Sequence, residues 1–147
     1  MALPAGPDPS ASAKMVCAPK AQRELATTLG VSTTTAPDPT WVDHRYSCRY
    51  RYADGVIELS VKELSSKEET TAYFDALAAR FGNTGAITGL GQGAYSTGDG
   101  SVVARKDYKV LLVDVSGLPA QFGAPPTSAA DVANTVADLI MGCWSGE

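Results

Sequence analysis

The chain has 147 residues, 44% apolar and 19% charged, which suits one domain with its own core and rules out disorder along the whole length. A net charge of −4 and an isoelectric point near 4.9 argue against long-range attraction to nucleic acid or anionic lipid. No apolar run approaches the roughly 20 residues that a membrane helix needs.

The opening segment, MALPAGPDPSASAK, is rich in Ala, Pro and Ser and lacks the charged start and apolar middle of a secretory signal. It reads as a flexible tether over residues 1–15, ahead of a single α+β domain over 16–147. The protein is then either cytosolic or exported with its signal already removed. Lys14, Met15 and Val16 make a poor lipid-attachment box for Cys17.

Residues 18–30, APKAQRELATTLG, predict the first helix. Ala21, Leu25 and Leu29 recur every four residues, Pro19 suits the first turn, and Gly30 is a natural stop. A loop punctuated by Pro37 and Pro39 follows. Residues 45–52, RYSCRYRY, then alternate with the period of a strand. Tyr46, Cys48, Tyr50 and Tyr52 share one face; Arg45, Ser47, Arg49 and Arg51 share the other.

Asp54-Gly55 is a favoured pair for a two-residue hairpin turn. A turn there pairs Tyr52 with Ile57, Arg51 with Glu58, Tyr50 with Leu59, Arg49 with Ser60 and Cys48 with Val61. Apolar partners then meet on one face and polar partners on the other, each pair contributing roughly 0.2–1 kcal/mol. Nucleic-acid binding wants arginines beside exposed rings, and the pleat separates the two sets.

Ser66 and Glu69 form a capping box for a helix over residues 65–82, with Tyr73, Phe74, Leu77, Ala78 and Phe81 as its apolar stripe. Gly98-Asp99-Gly100 is a turn, SVVAR and YKVLLVDV read as strands, and the chain reverses near Lys106 and Asp107. LPAQFGAPPTS reads as loop. The last helix runs from Ser128 to Trp144, with Val132, Val136, Leu139, Ile140 and Cys143 on one stripe. The expected fold is α+β, in the order α-β-β-α-β-β-β-α: an antiparallel sheet of about five strands with helices over one face.

The chemistry-bearing motifs are sparse. GLGQGA, Gly89–Ala94, lacks the third glycine of a dinucleotide loop and the Lys-Ser/Thr of a P-loop, and it leads into a strand. Glycines that bend or bulge the chain explain it better. His44 is the only histidine and stands without a nucleophile signature, so a surface position at a strand entrance is the better reading. No cofactor or metal set is legible, and the chain reads as non-enzymatic. Trp41, Tyr95 and Trp144 are candidates to line a ligand pocket, with core edges as the plainer alternative. Cys17, Cys48 and Cys143 fit no zinc or redox spacing. They are either a disulfide plus one odd thiol in an exported domain or three buried thiols in the cytosol.

The order of signals resembles a known group. A cysteine precedes a helix ending "LG", and a Pro/Thr loop leads to a "C-x-Y" strand, a hairpin and an "AYF" helix. GLGQGAY, VVARKDYKVLLVDV and a closing amphipathic helix follow. The chain so resembles small exported lipoproteins of actinobacteria, many classed only as a domain of unknown function. It is also similar to extracellular sensor domains of mycobacterial receptor Ser/Thr kinases. The similarity spans about residues 16–144, and GLG-x-x-A is its most distinctive motif.

The resemblance implies a Cys17–Cys48 disulfide that staples the first helix to the first strand and closes a loop of about 30 residues, worth ~3–4 kcal/mol in the chain-entropy model. It further implies a domain in the cell envelope or outside the cell, without a membrane span, on a tether whose lipid anchor would lie upstream of residue 1. The expected function is that of a binding or sensor domain for an unidentified small molecule or envelope protein, with no nucleic-acid partner. Recognition would use a groove between sheet and helices or the face carrying Arg45, Arg49 and Arg51, the latter suited to an anionic wall component. The alternative is a protein-interaction subunit using strand edges or the C-terminal helix.

Overall fold

The computed structural model describes residues 3–144. A seven-stranded antiparallel sheet in the order β1-β2-β3-β7-β6-β5-β4 organises the molecule. Its strands are β1 (Thr40–Val42), β2 (Arg45–Tyr52), β3 (Gly55–Glu63), β4 (Gly85–Ala86), β5 (Gly93–Ser96), β6 (Val102–Lys106) and β7 (Lys109–Gly117). Helices α1 (Ala11–Lys14), α2 (Pro19–Leu29), α3 (Lys67–Phe81) and α4 (Ala129–Trp144) pack on it, and β8 (Gln121–Phe122) pairs with β9 (Thr127–Ser128) beside it. The α+β class holds; the sheet is larger than expected because β1 and β4, three and two residues long, carry no pattern a sequence can show.

The long elements follow their sequence signals. In α2, Ala21, Leu25 and Leu29 are buried, and Gly30 ends the helix in the left-handed region at φ 72°. Ser66 caps α3 by accepting the Glu69 N–H, and Ser128 does the same for Asp131 ahead of α4. Gly30 is further constrained because a Cβ there would lie 2.0 Å from the Ala124 carbonyl oxygen.

The β2–β3 hairpin corrects the expected register by two residues. Tyr52 pairs with Gly55, Tyr50 with Ile57, Arg49 with Glu58 and Cys48 with Leu59, so the turn residues are Ala53 and Asp54. Gly55 belongs to the strand. A Cβ at that position would lie 2.9 Å from the Gly117 carbonyl oxygen, so β7 and not the turn demands glycine there. An even-numbered slip preserves facing, so the rings still point inward and the arginines outward.

The helices cover both faces of the sheet, not one. On the first face, α1, α2 and α4 enclose Cys48, Tyr50, Ile57, Leu59, Leu111 and Val113. On the second, α3 packs Tyr73, Phe74, Leu77 and Ala78 over Tyr95, Val103, Val110 and Leu112. Strands buried on both sides need apolar residues in runs, which VVA and VLLV in β6 and β7 supply. Strand β2 alternates because α3 does not reach across it, whereas on β3 Ser60 is buried between Leu59 and Val61.

Among the described residues, the expected tether packs against the domain from Ala5 onward. Ser10 caps α1, and Ser12, Ala13, Val16 and Cys17 are buried in the first-face core. Four contacts fasten this segment. The Ala5 N–H donates to the Leu64 carbonyl (2.9 Å), and the Ser10 N–H to the Glu63 carboxylate (3.2 Å). The Trp41 indole donates to the Pro7 carbonyl (3.0 Å), and the Trp144 indole to that of Ser12 (2.9 Å). Small residues made this stretch look like linker, yet they are what lets it lie close against the sheet.

Cys17 and Cys48 form a disulfide with Cα atoms 5.5 Å apart, within the usual range. Cys143 is a half-buried free thiol. Replacing both bridge cysteines with serine should lower unfolding stability by ~3–4 kcal/mol, the loop-closure value for a separation of 31 residues. Urea denaturation of the variant against the oxidised parent checks this; a loss under about 1 kcal/mol would mean the bridge adds little to packing alone.

Candidate functional site

Because α3 lies chiefly over β5, β6 and β7, the second face of the sheet is open over β1, β2 and the Glu58 end of β3, while Ser60 is buried and Lys62 meets Tyr73 of α3. Arg45, Arg49 and Arg51 stand on this open half, all exposed. Glu58 on β3 sits between two of them, 3.4 Å from Arg45 and 3.5 Å from Arg49. The Arg51 guanidinium has no partner among the described residues, its backbone carbonyl alone being engaged by Thr34. The Lys62 ammonium donates to the Asp43 carbonyl and lies 5.8 Å from the Tyr73 ring centre.

Two shallow basins occupy this open face. One, of about 440 Å³, is bordered by Asp38, Thr40, Ser47, Arg49, Arg51 and Glu58. The other, of about 380 Å³, is bordered by Thr40, Asp43, Arg45, Ser47, Lys62 and Tyr73. Thr40 and Ser47 border both and face each other across the β1–β2 pairing, so the basins form one trough with a low central ridge.

Of the other residues singled out from sequence, none joins the arginines. Trp41 pairs with Tyr46 and so lies on the opposite face of the sheet, where its indole holds the N-terminal segment. Tyr95 is 2% exposed under α3, its hydroxyl donating to the Phe74 carbonyl at 2.7 Å. Trp144 is 1% exposed and fastens α1. These two are core residues, and neither can line a surface. His44 is exposed in the two-residue β1–β2 turn, where Asp43 and His44 both have positive φ, 53° and 58°.

Two further depressions lie between sheet and helices, and a third of about 360 Å³ lies between the 87–90 loop and α4, bordered by Asn134, Thr135 and Asp138. Of the first two, one of about 290 Å³ opens between α2 and β2, bordered by Gln22, Arg23, Val31, Tyr50 and Tyr52. The other, about 370 Å³, separates the Gly89–Gln92 loop from α4, bordered by Leu90, Lys106, Asp138 and Met141. Some of their polar groups are committed, while the Arg23 and Asp138 side chains are not engaged by any hydrogen bond or ion pair among the described residues. The Tyr50 hydroxyl donates to the Val16 carbonyl (2.7 Å), and the Lys106 ammonium to the Trp144 carbonyl at the end of α4 (2.9 Å). Gly91 has a structural role: at φ 61°, a Cβ would meet the Arg105 carbonyl oxygen at 2.6 Å. Presented together on one strand, Arg51 and the loosely paired Arg45 and Arg49 are the groups best placed to bind something.

The surfaces suggested for a protein partner are small. The apolar stripe of α4, including Val132, Val136 and Ile140, is spent against the sheet. The outer strands β1 and β4 have three and two residues, too short for much strand addition.

Asp99 illustrates how the acids are used. Burial raises its pKa, but hydrogen bonds from Thr97 and Ser101 outweigh that and hold the carboxyl below the usual range, as a turn-fixing carboxylate. Among the described residues, no three His, Cys, Asp or Glu side chains come together to hold a metal. No helix among them is long and apolar enough to cross a membrane. No protein-family model matches the chain, and no curated protein or solved structure matches it either.

Inward-facing tyrosines make a pH prediction. Burial pushes Tyr52 up to about 12, and burial followed by the Asp75 charge pushes Tyr95 up to about 12, while Tyr50 is raised too. The folded state therefore keeps these phenols protonated where the unfolded chain has lost the protons. Stability should be flat up to about pH 10, the unfolded phenol value, and fall steadily as pH rises from there towards 12. Urea midpoints over that window, with tyrosinate absorbance in parallel, check the sign; a midpoint rising with pH would contradict buried rings.

Proposed function

We propose that this chain is an exported, non-enzymatic binding or sensor domain of the cell envelope, of the kind found in the actinobacterial lipoproteins and kinase sensor domains it resembles. The carrying observation is the uncovered half-face of the sheet, with Arg45, Arg49 and Arg51 presented together on one rigid strand. Sites on regular elements hold their side chains in fixed relative positions, which suits recognition. The Cys17–Cys48 bridge supports the exported location, since disulfides persist chiefly in oxidising compartments. An N-terminal lipid anchor upstream of the sequence is part of the same proposal.

The resting role of the trough is to bind, and the rest of the fold holds it. Arg51 can be removed at little cost to folding because it is exposed and partnerless, and the exposed Arg49–Glu58 pair contributes at most about 1 kcal/mol. The R49A/R51A variant should therefore keep nearly the parental Tm yet lose the Tm increase that soluble envelope extract gives the parent. At a hundredfold excess over Kd, that increase corresponds to about 2.7 kcal/mol. In cell fractions the protein should appear with the envelope, its bridge cysteines unreactive until reduced. A cytosolic protein with three reactive thiols would overturn the location, and an unchanged response of R49A/R51A would overturn the site.

A further inference from the structure

The bordering groups of the trough narrow the ligand class, given that the open face is the binding site. Four cations border it, Arg45, Arg49, Arg51 and Lys62, against three carboxylates, Asp38, Asp43 and Glu58. That near balance disfavours a polyanion, which would meet the Glu58 carboxylate beside both Arg45 and Arg49. It also disfavours an apolar ligand, because charged and hydroxyl groups dominate the lining. What fits is a molecule whose groups donate and accept in alternation.

We infer that the trough binds a linear polysaccharide lying along β2. A sugar hydroxyl is at once a donor and an acceptor, so it can bridge a guanidinium and a carboxylate set side by side. The Glu58 pairs, at 3.4 and 3.5 Å, are looser than the 2.7–2.9 Å of a closed charge-assisted bond, and a hydroxyl can close each of them. Thr40 and Ser47 add hydroxyls at the central ridge, where the chain would pass between basins. Tyr73 borders the far end of the trough, half-buried on α3, with the Lys62 ammonium 5.8 Å from its ring centre. From Arg45 to Arg51 the strand runs about 20 Å, room for several linked sugars and more than a single small solute needs.

The test uses the full, disulfide-bonded chain and three probes: an N-acetylglucosamine oligomer, an oligogalacturonate and inorganic polyphosphate. Backbone amide shifts should move over β1, β2 and β3 with the neutral N-acetylglucosamine oligomer and stay still over α2, whereas shifts with the polyanionic oligogalacturonate alone would overturn the charge-balance argument for the ligand class. Ser47→Trp fills the ridge from an exposed strand face and should weaken saccharide binding at least tenfold, while Arg23→Ala on α2 should leave it unchanged. A tenfold loss is also what removing one charge-assisted contact predicts for Arg51→Ala. Polyphosphate moving these amides while both saccharides leave them still would overturn the polysaccharide assignment and leave the face as a binding site. Silence of the face towards all three probes and towards soluble envelope extract would overturn both. Saccharide shifts confined to the α2 or α4 depressions would overturn the assignment to this trough.

Discussion

The antiparallel pairing of β2 with β3 is the interaction on which the other features depend. Because side chains alternate along a strand, one ladder commits two sets of residues at once. Tyr46, Cys48, Tyr50 and Tyr52 go to one side and Arg45, Ser47, Arg49 and Arg51 to the other. With Cys48 held inward, Cys17 can reach it, and the disulfide brings the preceding segment onto the sheet. With Tyr50 inward, its hydroxyl meets the Val16 carbonyl beside that bridge. The exposed arginines follow from the same alternation and need no separate cause.

Coverage of the second face supplies the asymmetry that makes a site. Helix α3 has enough apolar surface to close over β5, β6 and β7, where Val103 and Leu112 wait opposite each other. Over β1, β2 and β3 it would have to bury Arg49, Arg51 and Glu58, at a desolvation cost that loose ion pairs do not offset. The open half is thus left to water or to a ligand that can satisfy charged groups. A polar trough on a rigid sheet, rather than an enclosed apolar cavity, points to recognition through hydrogen bonds.

The wrong expectations share a cause. The β2–β3 register differs by two residues because Gly55 serves the approach of Gly117 on β7, a contact invisible in the hairpin's own sequence. Tyr95 and Trp144 look like pocket aromatics when only their loops and helix end are considered; the elements packed on them bury both. The Asp43-His44 turn escapes notice because non-glycine residues take positive φ there, against the usual preference. Residues 10–15 read as linker because Ala and Ser carry little apolar signal, although small side chains are what close packing requires.

Local pattern settled the class, the three long helices with their caps, the strand faces and the outward arginines. These depend on periodicity and capping, and each is decided within a few residues of chain. Tertiary structure alone decided which strands adjoin, which sheet half α3 covers, where the N-terminal segment lies and that Arg45, Arg49 and Arg51 share a trough with Asp38 and Lys62. Those outcomes depend on surfaces distant in sequence fitting one another, and a one-dimensional pattern records how strongly a face wants burial but not what will bury it.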